Sequence, residues 1–358
     1  MSIRVLVVED SEVVREFLYH ILNSDPAIRV IGEARNGADA LQLAEILKPD
    51  VITMDISMPG MDGYEATRRI METNPAPIVI VSVSVEPKQV ASTFRALEAG
   101  ALAAVQKPMG IGHPDHEKSA NALIQTVKLM SQVKVVKRWP MKHKGWAPPS
   151  ASLADEKDLG SKDIGLIAIG ASTGGPPVLQ TILSALPKDL RAPVLVVQHI
   201  SPGFISGFAE SLTNYCKIPV RIPSNDEILQ PANVYLAPDG VHMGVGPGSR
   251  IVLSDSPPEN GVRPSVSHLF QSVAEAFGPR SVGVLLTGMG KDGADALKSM
   301  REKGAVTIVQ DEASCVVFGM PAEAIRLGAA THVLSPDGIA AALARITRRR
   351  AAGPLPGA

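Results

Sequence analysis

Cysteine is nearly absent from this chain, with Cys216 and Cys315 the two present among 358 residues. Two thiols cannot build a disulfide framework, and their scarcity suits a reducing compartment. No Cys/His spacing resembles a zinc site. An excess of charge of one sign is lacking too: 35 basic residues meet 36 acidic ones, for a net charge of -1. That balance leaves no broad basic footprint for nucleic acid, and no basic recognition helix is evident, so a DNA-binding effector is disfavoured. No apolar run approaches about 18 residues, which argues against a membrane span. No secretory leader precedes the first apolar run, which opens at Ile3, so the expected location is cytoplasmic.

What the chain does hold is apolar residues in quantity, 45% hydrophobic against 20% charged. Its length predicts about two domains, each large enough for its own core. Strand and helix patterns alternate within residues 1–138, where strands are expected at 3–8, 29–34, 51–54, 78–81 and 103–105. Residues 139–162 turn to Pro, Ser and charge and hold both tryptophans, Trp139 and Trp146, which is the composition of a linker. The alternation resumes over 163–349, with strands expected at 164–169, 193–197, 220–221, 233–236, 251–253, 281–286 and 305–309, before a Gly/Pro tail at 350–358. Regular alternation of this kind predicts doubly wound parallel sheets.

The strand ends of the first domain carry its chemistry. Glu9 and Asp10 end the first strand, Asp55 the third, Ser82 the fourth and Lys107 the fifth. Three acids, a hydroxyl and a lysine converging make physical sense as a phosphoryl acceptor. Carboxylates bind Mg²⁺, while metal and ammonium neutralise charge on phosphoryl oxygens. With Asp55-Ile-Ser-Met-Pro-Gly-Met-Asp-Gly63, this domain resembles the receiver domain of response regulators over roughly residues 3–130. The resemblance implies Asp55 as phosphoacceptor, Glu9, Asp10 and Asp55 as Mg²⁺ ligands, Ser82 as switch hydroxyl and Lys107 as phosphate sensor. It also implies a cis bond before Pro108 and a histidine kinase as phosphodonor.

In the second domain a β-branched run leads into Gly170-Ala-Ser-Thr-Gly-Gly175 and then a helical pattern, which reads as strand, tight loop, helix. The glycines alone could serve only the turn. A phosphate cradle would need a Walker lysine or Gly-x-Gly-x-x-Gly, and a dinucleotide site an acid at the end of the next strand. That strand ends in Gln198-His199, so a base stands where the acid should be. Gly170-Ala-Ser-Thr-Gly174 is a literal nucleophile elbow. The order of Ser172, His199 and Asp292, the last within Thr287-Gly-Met-Gly-Lys-Asp-Gly293, departs from that of α/β-hydrolases while allowing similar geometry. His242 is a rival base, Asp239 and Asp295 are rival acids, and Gly288 and Gly290 are expected to leave N–H groups free for an oxyanion. His268 and His332 are read as structural.

These motifs, with Gln198-His-Ile-Ser-Pro-Gly-Phe204, Arg263-Pro-Ser265 and Glu312-Ala-Ser-Cys-Val-Val-Phe-Gly-Met-Pro321, resemble the catalytic domain of chemotaxis-type protein-glutamate methylesterases. The likeness implies Ser172 as nucleophile, His199 as general base and Asp292 as orienting carboxylate. The substrates it implies are glutamate γ-methyl esters on methyl-accepting chemoreceptors, with glutamine deamidation as a second activity and no cofactor for the esterase step. One departure concerns substrate fit, for the family usually has Asp after Arg-Pro-Ser where this chain has Ser267 and then His268. The expected fold is therefore α/β: a flavodoxin-like receiver joined by a linker to a Rossmann-like three-layer hydrolase domain. A non-enzymatic alternative makes the second domain a binding module for a nucleotide or a partner.

Overall fold

A computed structural model of the chain describes residues 2–82, 87–133, 135 and 163–346, with the backbone alone over 87–92. The expected linker and tail, and with them Trp139 and Trp146, lie outside the described residues. The chain divides into two compact units, Met1–Gly145 and Trp146–Ala358.

The first unit holds five parallel strands, β1 (Ile3–Val8), β2 (Ile28–Ala34), β3 (Val51–Met54), β4 (Ile78–Ser82) and β5 (Ala103–Gln106), in the order β2-β1-β3-β4-β5. All four residues of β3 and all five of β4 are buried. Crossover helices cover both faces of such a strand, which is why it reads as an unbroken apolar run. Two of the helices start at side chains that satisfy orphan N–H groups. Asn36 accepts from the Asp39 N–H ahead of Gly37–Leu47, and Asp62 from the Glu65 N–H ahead of Gly63–Thr73. The chain runs outward in both directions from β1 and β3, so their carboxyl ends open a crevice at a topological switch point. The cis bond expected before Pro108 is not found. Among the described residues the one cis peptide precedes Pro264, and trans is the lower-energy state of an X-Pro bond unless packing selects the other.

The second unit contains β6 (Leu166–Ala171), β7 (Val194–Gln198), β8 (Val220–Arg221), β9 (Val234–Leu236), β10 (His242–Gly246), β11 (Arg250–Ser254), β12 (Ser281–Leu285), β13 (Val306–Gln310) and β14 (His332–Leu334). Seven of these form one parallel sheet in the order β14-β13-β12-β6-β7-β9-β8. The α/β architecture expected from the alternation is thus present in both units. β10 and β11 instead pair antiparallel, apart from that sheet, so the strand expected at 251–253 belongs to a hairpin. Neither β10, whose His-Met-Gly-Val-Gly has little strand propensity, nor the short edge strand β14 was expected.

β6 is buried at every position and lies between β7 and β12. The helix Val266–Ala276 buries Val266, Leu269, Phe270 and Val273 in the core cluster. Each such side chain contributes about 1.5–3 kcal/mol when removed from water. The switch point of this sheet lies at the carboxyl ends of β6 and β12, with Ser172 just past one and the loop to Asp292 after the other.

Candidate functional site

Ser172 follows the last residue of β6, and Ala171 there pairs with Gln198 at the end of β7. The His199 N–H donates to Ala171 O at 2.9 Å, so Ser172 and His199 leave neighbouring strands side by side, about 4.8 Å apart in the sheet direction. The loop that carries Ser172 is held from three sides. Its N–H donates to Thr287 O at 3.0 Å, its carbonyl accepts from the Gly175 N–H at 2.8 Å, and Gln198 Nε2 donates to Ser172 O at 2.9 Å. Gly174 has φ +76, and a Cβ there would lie 2.4 Å from Cβ of Val316. The turn therefore needs glycine for conformation and for space.

His199 Nε2 lies 3.0 Å from Asp292 Oδ2. The oxygen stands off the ring N–H direction, since Nε2 makes no aligned hydrogen bond. The pair is a close polar contact, of the loosely aligned kind that unliganded catalytic sites often show. Asp292 is 5% exposed and is densely solvated by the protein. Oδ1 accepts from Ser265 Oγ at 2.8 Å, Asn260 Nδ2 at 3.0 Å and the Ser267 N–H at 3.2 Å. Oδ2 accepts from the Val266 N–H at 2.7 Å. Burial pushes the Asp292 pKa up, but His199, Ser267 and the Val266 N–H outweigh it and hold the carboxyl below the ordinary range. The result is a fixed carboxylate facing an imidazole.

The rivals are otherwise employed. His242 is fully buried; its Nδ1 accepts from the Ser265 N–H at 3.1 Å and its Nε2 faces Pro257 O at 3.1 Å. Such partners require the neutral Nε2–H tautomer and leave no nitrogen for substrate. Asp239 accepts from the Gly203 N–H at 2.7 Å, tying down the loop after His199, and burial raises its pKa. Asp295 lies exposed in the helix Ala294–Glu302. His268 contacts Glu259 Oε1 through Nδ1 at 2.8 Å, and His332 opens β14. One expectation about the oxyanion donors is corrected. The Gly288 N–H donates to Val317 O at 3.0 Å because the segment around Phe318 bridges alongside it. Among the described residues the Gly290 and Thr173 N–H groups have no hydrogen-bond partner. Thr173, the residue after Ser172, was missed from sequence, as were Asn260, Ser265 and Ser267 as partners of Asp292.

In the first unit Glu9, Asp10 and Asp55 offer oxygens that all lie within 4.8 Å of one another. Lys107 Nζ stands 2.7 Å from Glu9 Oε2 and 3.3 Å from Asp55 Oδ1. The Lys107 N–H donates to Ser82 O at 2.8 Å, and Ser82 is 3% exposed at the end of β4. Burial raises the Glu9 pKa, helped by Asp55 and opposed by Lys107. Glu9 Oε2 is buried and, despite the nearby ammonium, lacks an aligned hydrogen bond. An under-satisfied buried carboxylate oxygen within an all-oxygen acidic set fits a hard divalent cation such as Mg²⁺.

Residues 167–343 match the CheB methylesterase family, and residues 5–113 match the response regulator receiver domain. Protein-glutamate methylesterase/protein-glutamine glutaminase 4 of Geobacter metallireducens is 53% identical over 97% of this chain and 100% of its own length. The protein-glutamate methylesterase/protein-glutamine glutaminase of Nitrosospira multiformis is 52% identical over 97% of this chain and 98% of its own. Among solved structures, the Thermotoga maritima CheB methylesterase catalytic domain aligns with a TM-score of 0.50 at 36% identity, covering 51% of this chain and 98% of that one. With relatives at half identity spanning both α/β units, the chain belongs to the family of protein-glutamate methylesterases/protein-glutamine glutaminases.

Proposed function

We propose that the chain hydrolyses glutamate γ-methyl esters on methyl-accepting chemoreceptors, releasing methanol, and deamidates receptor glutamines, under control of its receiver unit. The observation that carries this reading is the 3.0 Å contact of His199 with Asp292 beside the strand end that presents Ser172. In the first half-reaction the His199 nitrogen turned away from Asp292 takes the Ser172 proton, and Oγ attacks the ester carbonyl. The Thr173 and Gly290 N–H groups are among the free donors of the two loops for the resulting oxyanion. Collapse breaks the C–O bond to the methoxy group, His199 returns the proton, and methanol leaves an acyl-Ser172. In the second half-reaction His199 takes a proton from water. The hydroxide attacks the acyl carbonyl, the bond from that carbon to Ser172 Oγ breaks, and His199 returns the proton to Oγ, freeing glutamate and Ser172. An amide follows the same course with ammonia as leaving group. The chain's side chains and backbone N–H groups, with water, supply the groups that act in these steps.

In the receiver, Glu9, Asp10 and Asp55 would hold Mg²⁺, which when bound neutralises charge on phosphoryl oxygens. Asp55 would accept the phosphoryl group from a histidine kinase, and Lys107 and Ser82 would respond to it. A cytoplasmic location agrees with receptors methylated on their helical cytoplasmic portion. The deciding experiment incubates the protein with membranes whose receptors carry labelled methyl esters. Wild type should release labelled methanol and Ser172→Ala should not; equal release by both overturns the reading.

A further inference from the structure

We infer that Asn260 is a positioning residue for the Asp292–His199 pair, an assignment that rests on the hydrolase reading above. Asn260 sits with Gly261 in a two-residue turn, both at positive φ, +52 and +77. The flanking Glu259 and Val262 exchange both backbone hydrogen bonds, at 3.2 and 3.0 Å. Asn-Gly is favoured in such a hairpin for conformational reasons alone. The side chain does something the turn does not require: its Nδ2 donates to Asp292 Oδ1 at 3.0 Å and to Ser267 Oγ at 3.1 Å. Both amide hydrogens are thereby used. Ser267 Oγ in turn accepts from the Gly293 N–H at 2.8 Å, next to Asp292 in the chain. Asn260, Asp292, Gly293 and Ser267 thus form a closed ring.

The other donors to Asp292 all come from one helix start, Ser265, Val266 and Ser267. Asn260 is the donor from a separate segment. Its bond adds a restraint from a second segment on rotation of the carboxylate about Cβ–Cγ, and that rotation decides whether Oδ2 faces His199. The titratable groups around this ring are His199 after β7, His242 on β10, His268 on the helix Val266–Ala276, and Glu259 before the turn. His242 and His268 stack with centroids 4.6 Å apart, and Glu259 is paired to His268.

The test uses two substitutions in the full chain that keep the turn. Gly accepts positive φ freely, and Asp tolerates it. Asn260→Gly should melt cooperatively yet lower kcat and kcat/KM together, by about tenfold, as loss of a charge-assisted hydrogen bond acting only through the transition state. Asn260→Asp should lose more. A second carboxyl against Asp292 can stand in as a donor while protonated but repels it once ionised, so the deficit against wild type should widen as pH rises. A third readout needs no turnover: in protein with ¹⁵N-labelled histidine, the His199 Nε2–H facing Asp292 should exchange with solvent faster in both variants. Folded variants within twofold of wild type, with an unchanged pH profile and unchanged N–H exchange, would overturn the assignment and leave Asn260 a turn residue. If instead Ser172→Ala turns over as fast as wild type, the hydrolase reading fails, and the imidazole exchange alone decides whether Asn260 positions the pair.

Discussion

A carboxylate buried to 5% exposure is stable only where the protein replaces its water, and Asp292 has four such donors besides the imidazole it faces. Asp292→Asn should therefore leave the fold intact while lowering kcat by about 10⁴, as removal of the orienting acid does in triads generally; steady-state methanol release checks it. The pH dependence has a definite sign. A carboxyl held below its unfolded value of about 3.9 favours folding above that pH, and the contribution is lost as pH falls through the folded value. The gap in urea midpoint between wild type and Asp292→Asn should be fully open at neutral pH and narrow on acidification toward about pH 2. Had a neutral group replaced a carboxyl of ordinary pKa, the gap would not change. His242 teaches the limit of reading residues singly. Its position in the sequence made it a rival base, yet burial and two backbone partners make it a support for Ser265.

At the scale of elements, the loop after β6 depends on how closely the helix Val266–Ala276 approaches. A Cβ on Gly170 would lie 2.2 Å from Val266 Cγ1, inside a core where neither side can yield. Gly170→Ala should lower stability by about 1–3 kcal/mol, read as a shift in urea midpoint. It should lower kcat too, because the Val266 N–H that would be displaced holds Asp292. The carboxyl ends of β1 and β3 carry a second prediction. Burial raises the Glu9 pKa, so the folded chain bears a penalty for its charged form at neutral pH that a bound cation relieves. Millimolar Mg²⁺ should raise the melting temperature of the receiver, and Glu9→Gln should reduce that increment. No increment in wild type would sink the metal assignment. The β6-loop-helix unit was legible because β-branched run, glycines and helix pattern agree. The β10–β11 hairpin was not, because its glycines carry no alternation and its pairing partner is tertiary.

For the whole molecule, two units each with a candidate site at its strand ends are joined by the linker expected over 139–162, about two dozen residues, which sets a local concentration on the order of millimolar. Control by the receiver, as proposed above, has the unphosphorylated receiver inhibit the esterase, and at that concentration a phosphoryl group can supply the few kcal/mol that relieve the inhibition. A chain beginning at Ser161 should hydrolyse esters faster than the unphosphorylated full-length protein. A small phosphodonor with Mg²⁺ should activate the full-length protein, and Asp55→Ala should abolish that activation while keeping basal turnover. If the shortened chain is no faster, inhibition by the receiver is wrong and phosphorylation must act by recruiting substrate.

By itself the sequence determined the two α/β units, the residues that stand at each strand end, and the family. Those follow from local pattern, where apolar runs, glycines and polar residues at fixed offsets carry the signal. Which polar groups are spent and which remain free was decided only by tertiary contact. The Gly288 N–H is taken by Val317, His242 is locked between Ser265 and Pro257, and Asn260 reaches Asp292. Hydrogen-bond partners come from segments far apart in the chain, and no local pattern records which of them packing brings within 3 Å.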